Sequence, residues 1–206
     1  MQFHRLLAGV FLLTCLPSVA SAACLDQATA SRGYKFQDSA GTVGEIKFKG
    51  TDQSVLLQSS GSETRQEFAS SGQVLMETST TTNGNPASHQ IYMYTTVPDL
   101  LDAVGKTTEY FATVHTLAPG KPDVLSYFYG NRKIVEAERV TIGECSYDTL
   151  VLQGETVGMG VIMQKSIARL NWSPILARYV KSATTTYRPP IKDPVVVNWT
   201  VVRVGF

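Results

Sequence analysis

The chain has 206 residues, 43% of them hydrophobic and 17% charged, which excludes a disordered polymer and leaves material for a sizeable core. Its 18 basic and 17 acidic residues sum to a net charge of +1, so no bulk charge draws it to nucleic acid or to an anionic membrane surface.

Met1 to Ala22 read as a secretory signal. His4 and Arg5 make a short basic start, Leu6 to Leu16 are almost wholly apolar, and Ala20-Ser21-Ala22 supplies an A-x-A cleavage site. The apolar stretch is shorter than the ~20 residues a membrane span needs. Cleavage after Ala22 is therefore expected, giving a periplasmic or secreted protein with no transmembrane segment. A lipoprotein acylated at Cys24 is the alternative, but Ser21 stands where a lipobox carries leucine.

Cleavage removes Cys15 and leaves Cys24 and Cys145, which are expected to pair in an oxidising compartment. The bridge would close a loop of roughly 120 residues, worth about 4–5 kcal/mol in the chain-entropy picture. Neither cysteine lies in a C-x-x-C or beside a histidine, which disfavours a redox or metal role.

Residues 23–43 are rich in Ser, Gln, Ala and Gly and read as an irregular N-terminal arm, followed by a single domain over 44–206. Ile46 and Phe48 alternate with Glu45, Lys47 and Lys49, the pattern of a half-buried strand. Further strands are predicted over 55–57, 63–68, 74–78 and 89–95, with a hairpin turn at Asn83-Gly84-Asn85-Pro86. One short helix is predicted between Thr96 and Gly105, with Pro98 in its first turn and Leu100, Leu101 and Val104 on one side.

Strands then resume over 110–116, 124–129, 133–142 and 147–153, with turns at Pro119-Gly120, Gly130-Asn131 and Gly143-Glu144. Residues 161–170 and 178–186 flank a turn at Asn171-Trp172-Ser173-Pro174, and 195–204 forms the last strand. The predicted class is all-β: a curved antiparallel sheet with one short helix. That many strands must curl into a half-barrel, close into a barrel or split into a sandwich.

The stretch from Val140 to Thr149, with Gly143 at its centre, and the stretch from Asn171 to Val180 resemble a pattern in uncharacterised exported bacterial proteins. There a V-T-V-x-G-x-F-x-T strand turn precedes a W-Y-S-P-x-L-G-x-x-V hairpin. Val104-Gly105-Lys106-Thr107 is similar to their V-G-K-T segment, while Ala177 replaces their usual Gly. The resemblance covers about the C-terminal half. It implies a curved antiparallel sheet of the kind found in periplasmic lipoprotein-carrier-like domains, and no established activity.

No nucleophile elbow, H-E-x-x-H helix, P-loop or dinucleotide fingerprint is present, so no cofactor or metal is expected and a non-enzymatic role is the leading one. His89 and His115 are the only histidines after the leader. The carboxylate pairs Asp99 with Asp102 and Glu144 with Asp148 suit capping and turns as well as acid–base work. Tyr129 and Lys133 have a Tyr-x-x-x-Lys spacing, but across what reads as a hairpin turn.

The most suggestive feature is aromatic. Tyr92, Tyr94, Tyr110, Tyr127, Tyr129 and Trp172 are candidates to line a groove for a hydrophobic small molecule or lipid. The alternatives are an envelope hydrolase built on a His/carboxylate site, and a structural or assembly factor that binds an envelope protein through an exposed sheet edge.

Overall fold

The computed structural model describes residues 24–50, 53–160 and 163–205; the leader expected over Met1–Ala22 lies outside them. A single helical turn, α1 (Gln27–Ala30), leads into β1 (Tyr34–Asp38), β2 (Val43–Lys49), β3 (Gln53–Ser60) and β4 (Glu63–Ser70). There follow β5 (Val74–Thr82), β6 (Asn85–Tyr94), β7 (Thr107–Leu117) and β8 (Val124–Ile142). β9 (Cys145–Gly160), β10 (Gln164–Ser173), β11 (Arg178–Tyr187) and β12 (Val195–Val204) complete the chain. Each strand pairs antiparallel with the next, and β1 pairs with β12, so the sheet is a closed barrel of twelve strands.

The local chemistry explains the staves. In β2, Ile46 is buried at 2% exposure while Glu45 and Lys47 point outward, paired to each other at 3.3 Å. Between β5 and β6, Asn83 and Gly84 both take positive φ, 52° and 78°, the requirement of a two-residue turn that matches strand twist. Pro86 follows at a register shift opposite Thr80 and Thr81, where no ladder donor is needed.

Four expectations need correction. Residues 96–105 are not a helix. So short a helix is marginal on its own, and the Leu101 peptide instead gives both its polar groups to Gln73: Nε2 donates to the Leu101 carbonyl at 2.7 Å, and the Leu101 N–H donates to Oε1 at 2.9 Å. Gly130-Asn131 is no turn, because β8 runs straight through it; a Cβ at Gly130 would overlap the Tyr110 ring, so glycine there makes room for that ring. The arm over 23–43 holds α1 and β1, whose Phe36 is fully buried. β10 continues to Ser173, and the turn occupies Pro174–Ala177, with Ala177 at φ 46°.

An up-and-down barrel sends its connections alternately to the two ends. One end is filled. Past a bulge at Ile134/Glu136, the distal β8–β9 hairpin buries Val140, Ile142 and Tyr147 against Tyr34, Phe36 and Val201, residues of β1 and β12 on the far side of the ring. The hairpin therefore crosses that end of the barrel. Cys24 is bonded to Cys145 at its tip, 121 residues away, and the Leu25 N–H donates to the Tyr147 hydroxyl at 3.1 Å. Beside it Leu101 inserts against Ile134, Leu152 and Trp172.

The Cys24–Cys145 bond holds the start of the described chain on this floor and thereby steadies the β1–β12 seam. Replacing both cysteines with serine is expected to lower unfolding stability by about 3–5 kcal/mol in denaturant titration. An unchanged midpoint would show that the seam closes without it.

Candidate ligand cavity in the barrel lumen

Above the filled end lies an internal cavity of about 560 Å³, lined by strands β5 to β11. Residues two apart on neighbouring strands can share one cavity only from the inner face of the ring. Tyr92 and Tyr94 of β6 face Val114 and Ala112 of β7 in register, and Ala112 in turn faces Phe128 of β8. Leu75, Ala168 and Leu170 extend the apolar wall, and Gln90, Gln164 and Ser166 lie toward the opposite end. Arg188, exposed in the turn after β11, stands at that end.

Tyrosine hydroxyls are tied to the wall. Tyr94 donates to the Leu75 carbonyl at 2.8 Å, and Tyr110 lies over Gly130 to reach Thr156 Oγ1 at 3.0 Å. The two rings meet edge to face with centroids 6.0 Å apart. Burial, reinforced by the neighbouring Tyr110, pushes the Tyr94 phenol up to about 12.

Arg132 forms the floor. Its guanidinium lies 5.2 Å from the centre of the Tyr110 ring, and Nη1 donates to the Gln73 carbonyl at 3.2 Å and to the Tyr179 hydroxyl at 2.8 Å. Its Nε–H is buried with no hydrogen-bond partner among the described residues. Burial works against the charge, but the oxygens of Tyr179, Tyr110 and Tyr94 outweigh it, and the pKa is raised. Gln73 thus joins Arg132 to the Leu101 insert that closes the barrel below.

Of the six aromatic residues singled out in the sequence, the fold brings Tyr92, Tyr94 and Tyr110 together in this cavity. Tyr127 and Tyr129 occupy odd positions of β8 and lie on the outer wall, 41% and 38% exposed, where Tyr127 stacks on Phe111. They belong to an outer apolar patch with Met93 and Met159, on the back of the wall that lines the cavity. Trp172 is buried beneath a separate depression of about 400 Å³ near α1.

Arg132 and Gln73 were not anticipated. The signal for Arg132 was present: Phe128, Gly130 and Arg132 share one face once the strand is continuous, but reading Gly130-Asn131 as a turn hid it. A smaller polar chamber of about 260 Å³ meets Tyr179 from the other side and contains an Arg65–Glu67 pair at 2.7 Å. There Arg178 stacks 3.5 Å from the centre of the Phe36 ring, and burial lowers its pKa.

Both histidines meet carboxylates on the outer wall, His89 with Glu77 at 2.9 Å and His115 with Asp123 at 3.2 Å. Among the described residues no serine, threonine or cysteine is hydrogen-bonded to either ring, and no cluster of three metal-ligating side chains is found.

The chain matches no family model, no curated protein and no solved structure. Geometry alone carries the functional reading.

Two outcomes follow from the floor and the wall. Gln73→Ala leaves the Leu101 N–H and C=O buried without their partners, at about 1–3 kcal/mol for each group. Hydrogen exchange over 97–105 should accelerate; unchanged exchange would mean the insert is held by packing alone. Because the Tyr94 pKa is raised in the fold, its contribution is present below the ordinary tyrosine value of about 10 and is lost toward about 12. Denaturation midpoints should fall across that window, and less steeply in Tyr94→Phe.

Proposed function

We propose that this protein is an exported, water-surrounded barrel that holds one hydrophobic small molecule in its lumen, and that it is not an enzyme. The observation that carries the reading is the cavity of about 560 Å³, closed below by Leu101 and Arg132 and walled by Tyr92, Tyr94, Ala112, Val114 and Phe128. Its volume falls in the ordinary range of small-molecule pockets, about 300–1,000 Å³, and its apolar wall lies between polar groups at the floor and the rim.

Export fits the rest of the chain. The Met1–Ala22 leader points to the periplasm or beyond, and the Cys24–Cys145 bond suits an oxidising compartment. A barrel that crosses a bilayer needs an unbroken apolar belt. Here ion pairs such as Lys47–Glu45 and Lys165–Glu155 interrupt the outer wall in mid-sheet, which favours water outside.

The two alternatives draw less support. A hydrolase would use His89 with Glu77 or His115 with Asp123, yet neither pair has a bonded nucleophile among the described residues. An assembly factor that adds a strand to a sheet edge would need such an edge, and every strand of the ring is paired on both sides.

The neutral fluorophore N-phenyl-1-naphthylamine tests the reading. The wild-type protein should bind it with enhanced emission, and Ala112→Trp, which fills the cavity, should weaken binding at least about tenfold. Tyr127→Ala and Tyr129→Ala, on the outer wall, should leave it unchanged. Loss of binding in the outer variants with retention in Ala112→Trp would move the site to the outside.

A further inference from the structure

The cavity is chemically lopsided. Two arginines line it, Arg132 on the floor and Arg188 at the rim, and none of its described lining residues is a carboxylate. The other interior chamber is different: there Arg65 has Glu67, and Asp38 lines the same space as Arg178. The Arg132 charge is met only by neutral partners, the Tyr110 ring, the Tyr179 hydroxyl and the Gln73 carbonyl, with no counter-charge among the described residues that line the chamber. Arg132 therefore sits in an environment that an anion would complete.

The donors around it are arranged for one. Nη1 is committed to the Gln73 carbonyl and the Tyr179 hydroxyl, whereas no hydrogen bond from Nη2 to a described residue is found. The Tyr179 hydroxyl accepts from Arg132, which leaves its own proton to donate, and Tyr179 lines the cavity. An arginine edge beside a tyrosine O–H is a donor pair for a carboxylate. Above that pair the wall becomes apolar at Ala112, Val114, Phe128 and Ala168.

We propose that the lumen binds an anionic amphiphile of the fatty-acid class, its carboxylate seated against Arg132 and Tyr179 and its alkyl tail running along Ala112 and Phe128 toward the rim. This rests on the lumenal-binding reading above and adds to it the charge, the polarity and the orientation of the ligand. The head lies innermost because Arg132 is enclosed, where a charge pair is weakly screened, and Arg188 is exposed, where it is strongly screened. With a net charge of +1 on the chain, the preference for an anion is local to the cavity and not a field effect of the whole protein.

The test is displacement of N-phenyl-1-naphthylamine by dodecanoic acid, dodecanol and dodecylamine, matched in tail and differing in head. The acid should displace the probe at a concentration at least about tenfold lower than the alcohol, the gain of one charge-assisted hydrogen bond or more, and the amine should be weakest. Arg132→Gln should abolish the advantage of the acid while the alcohol still binds, and Arg188→Gln should preserve it. Equal displacement by acid and alcohol in the wild type overturns the anion assignment and leaves the lumenal reading standing. Failure of the probe and all three amphiphiles to bind removes the lumenal reading itself.

Loss of the preference in Arg188→Gln but not in Arg132→Gln would overturn the orientation and place the head at the rim. Should Arg132→Gln not fold, a crystal structure of the wild-type dodecanoate complex decides the same point. A carboxylate within hydrogen-bond distance of Arg132 supports the proposal, and one beside Arg188 overturns it.

Discussion

A closed ring of twelve strands encloses more space than its inward side chains can fill, and this excess governs the rest of the molecule. Eight-stranded barrels are about the size at which side chains meet across the axis. A wider ring must import material, admit water or hold something else. Here the imported material comes from two places, the distal β8–β9 hairpin and the Leu101 insert, and both enter from the same end. The disulfide, the Tyr147 hydrogen bond and the Gln73–Leu101 pair all lie there, so one end is a core and the other a chamber. The cavity is thus the part of the enclosed volume that the chain does not occupy.

The polar groups that bound the chamber follow from the same geometry. A plug needs its peptide groups satisfied once it leaves water, and Gln73 meets both from a single amide. The Gln73 backbone carbonyl then receives Arg132, so the residue that secures the plug also orients the cation above it. Glycine 130 is the counterpart on the wall: without a Cβ it lets Tyr110 lie across the strand and reach Thr156. Floor, cation and aromatic wall form one packed unit in which each part fixes the next.

Much of this was legible in the sequence. Period-two alternation exposed most of the staves, Asn83-Gly84 marked its hairpin, and the two cysteines that follow the expected leader named the disulfide. All-β closure followed from strand number, although barrel, half-barrel and sandwich remained open because closure depends on whether the first and last strands meet. That contact uses β1, whose brief alternation of Tyr34 and Phe36 with Lys35 and Gln37 is embedded in an arm rich in Ser, Gln, Ala and Gly. The insert at 96–105 misled for a related reason: its apolar spacing fits a helix, but tertiary hydrogen bonds to Gln73 outweigh two turns of helical ladder.

The aromatic residues show the limit most clearly. Tyr92, Tyr94 and Tyr110 differ from Tyr127 and Tyr129 only in which face of the sheet they occupy, and a face is assigned only when the strand's register is known. Treating Gly130-Asn131 as a turn broke the alternation of β8 and concealed both the outward tyrosines and the inward Arg132. The central claim is that the unfilled half of the barrel is occupied by a ligand. Native mass spectrometry of protein purified from its own cells, before and after organic extraction, tests it most directly. The account predicts one noncovalent small-molecule adduct per chain that extraction removes; a single bare mass in both samples, with the purified protein still refusing hydrophobic probes, would contradict it.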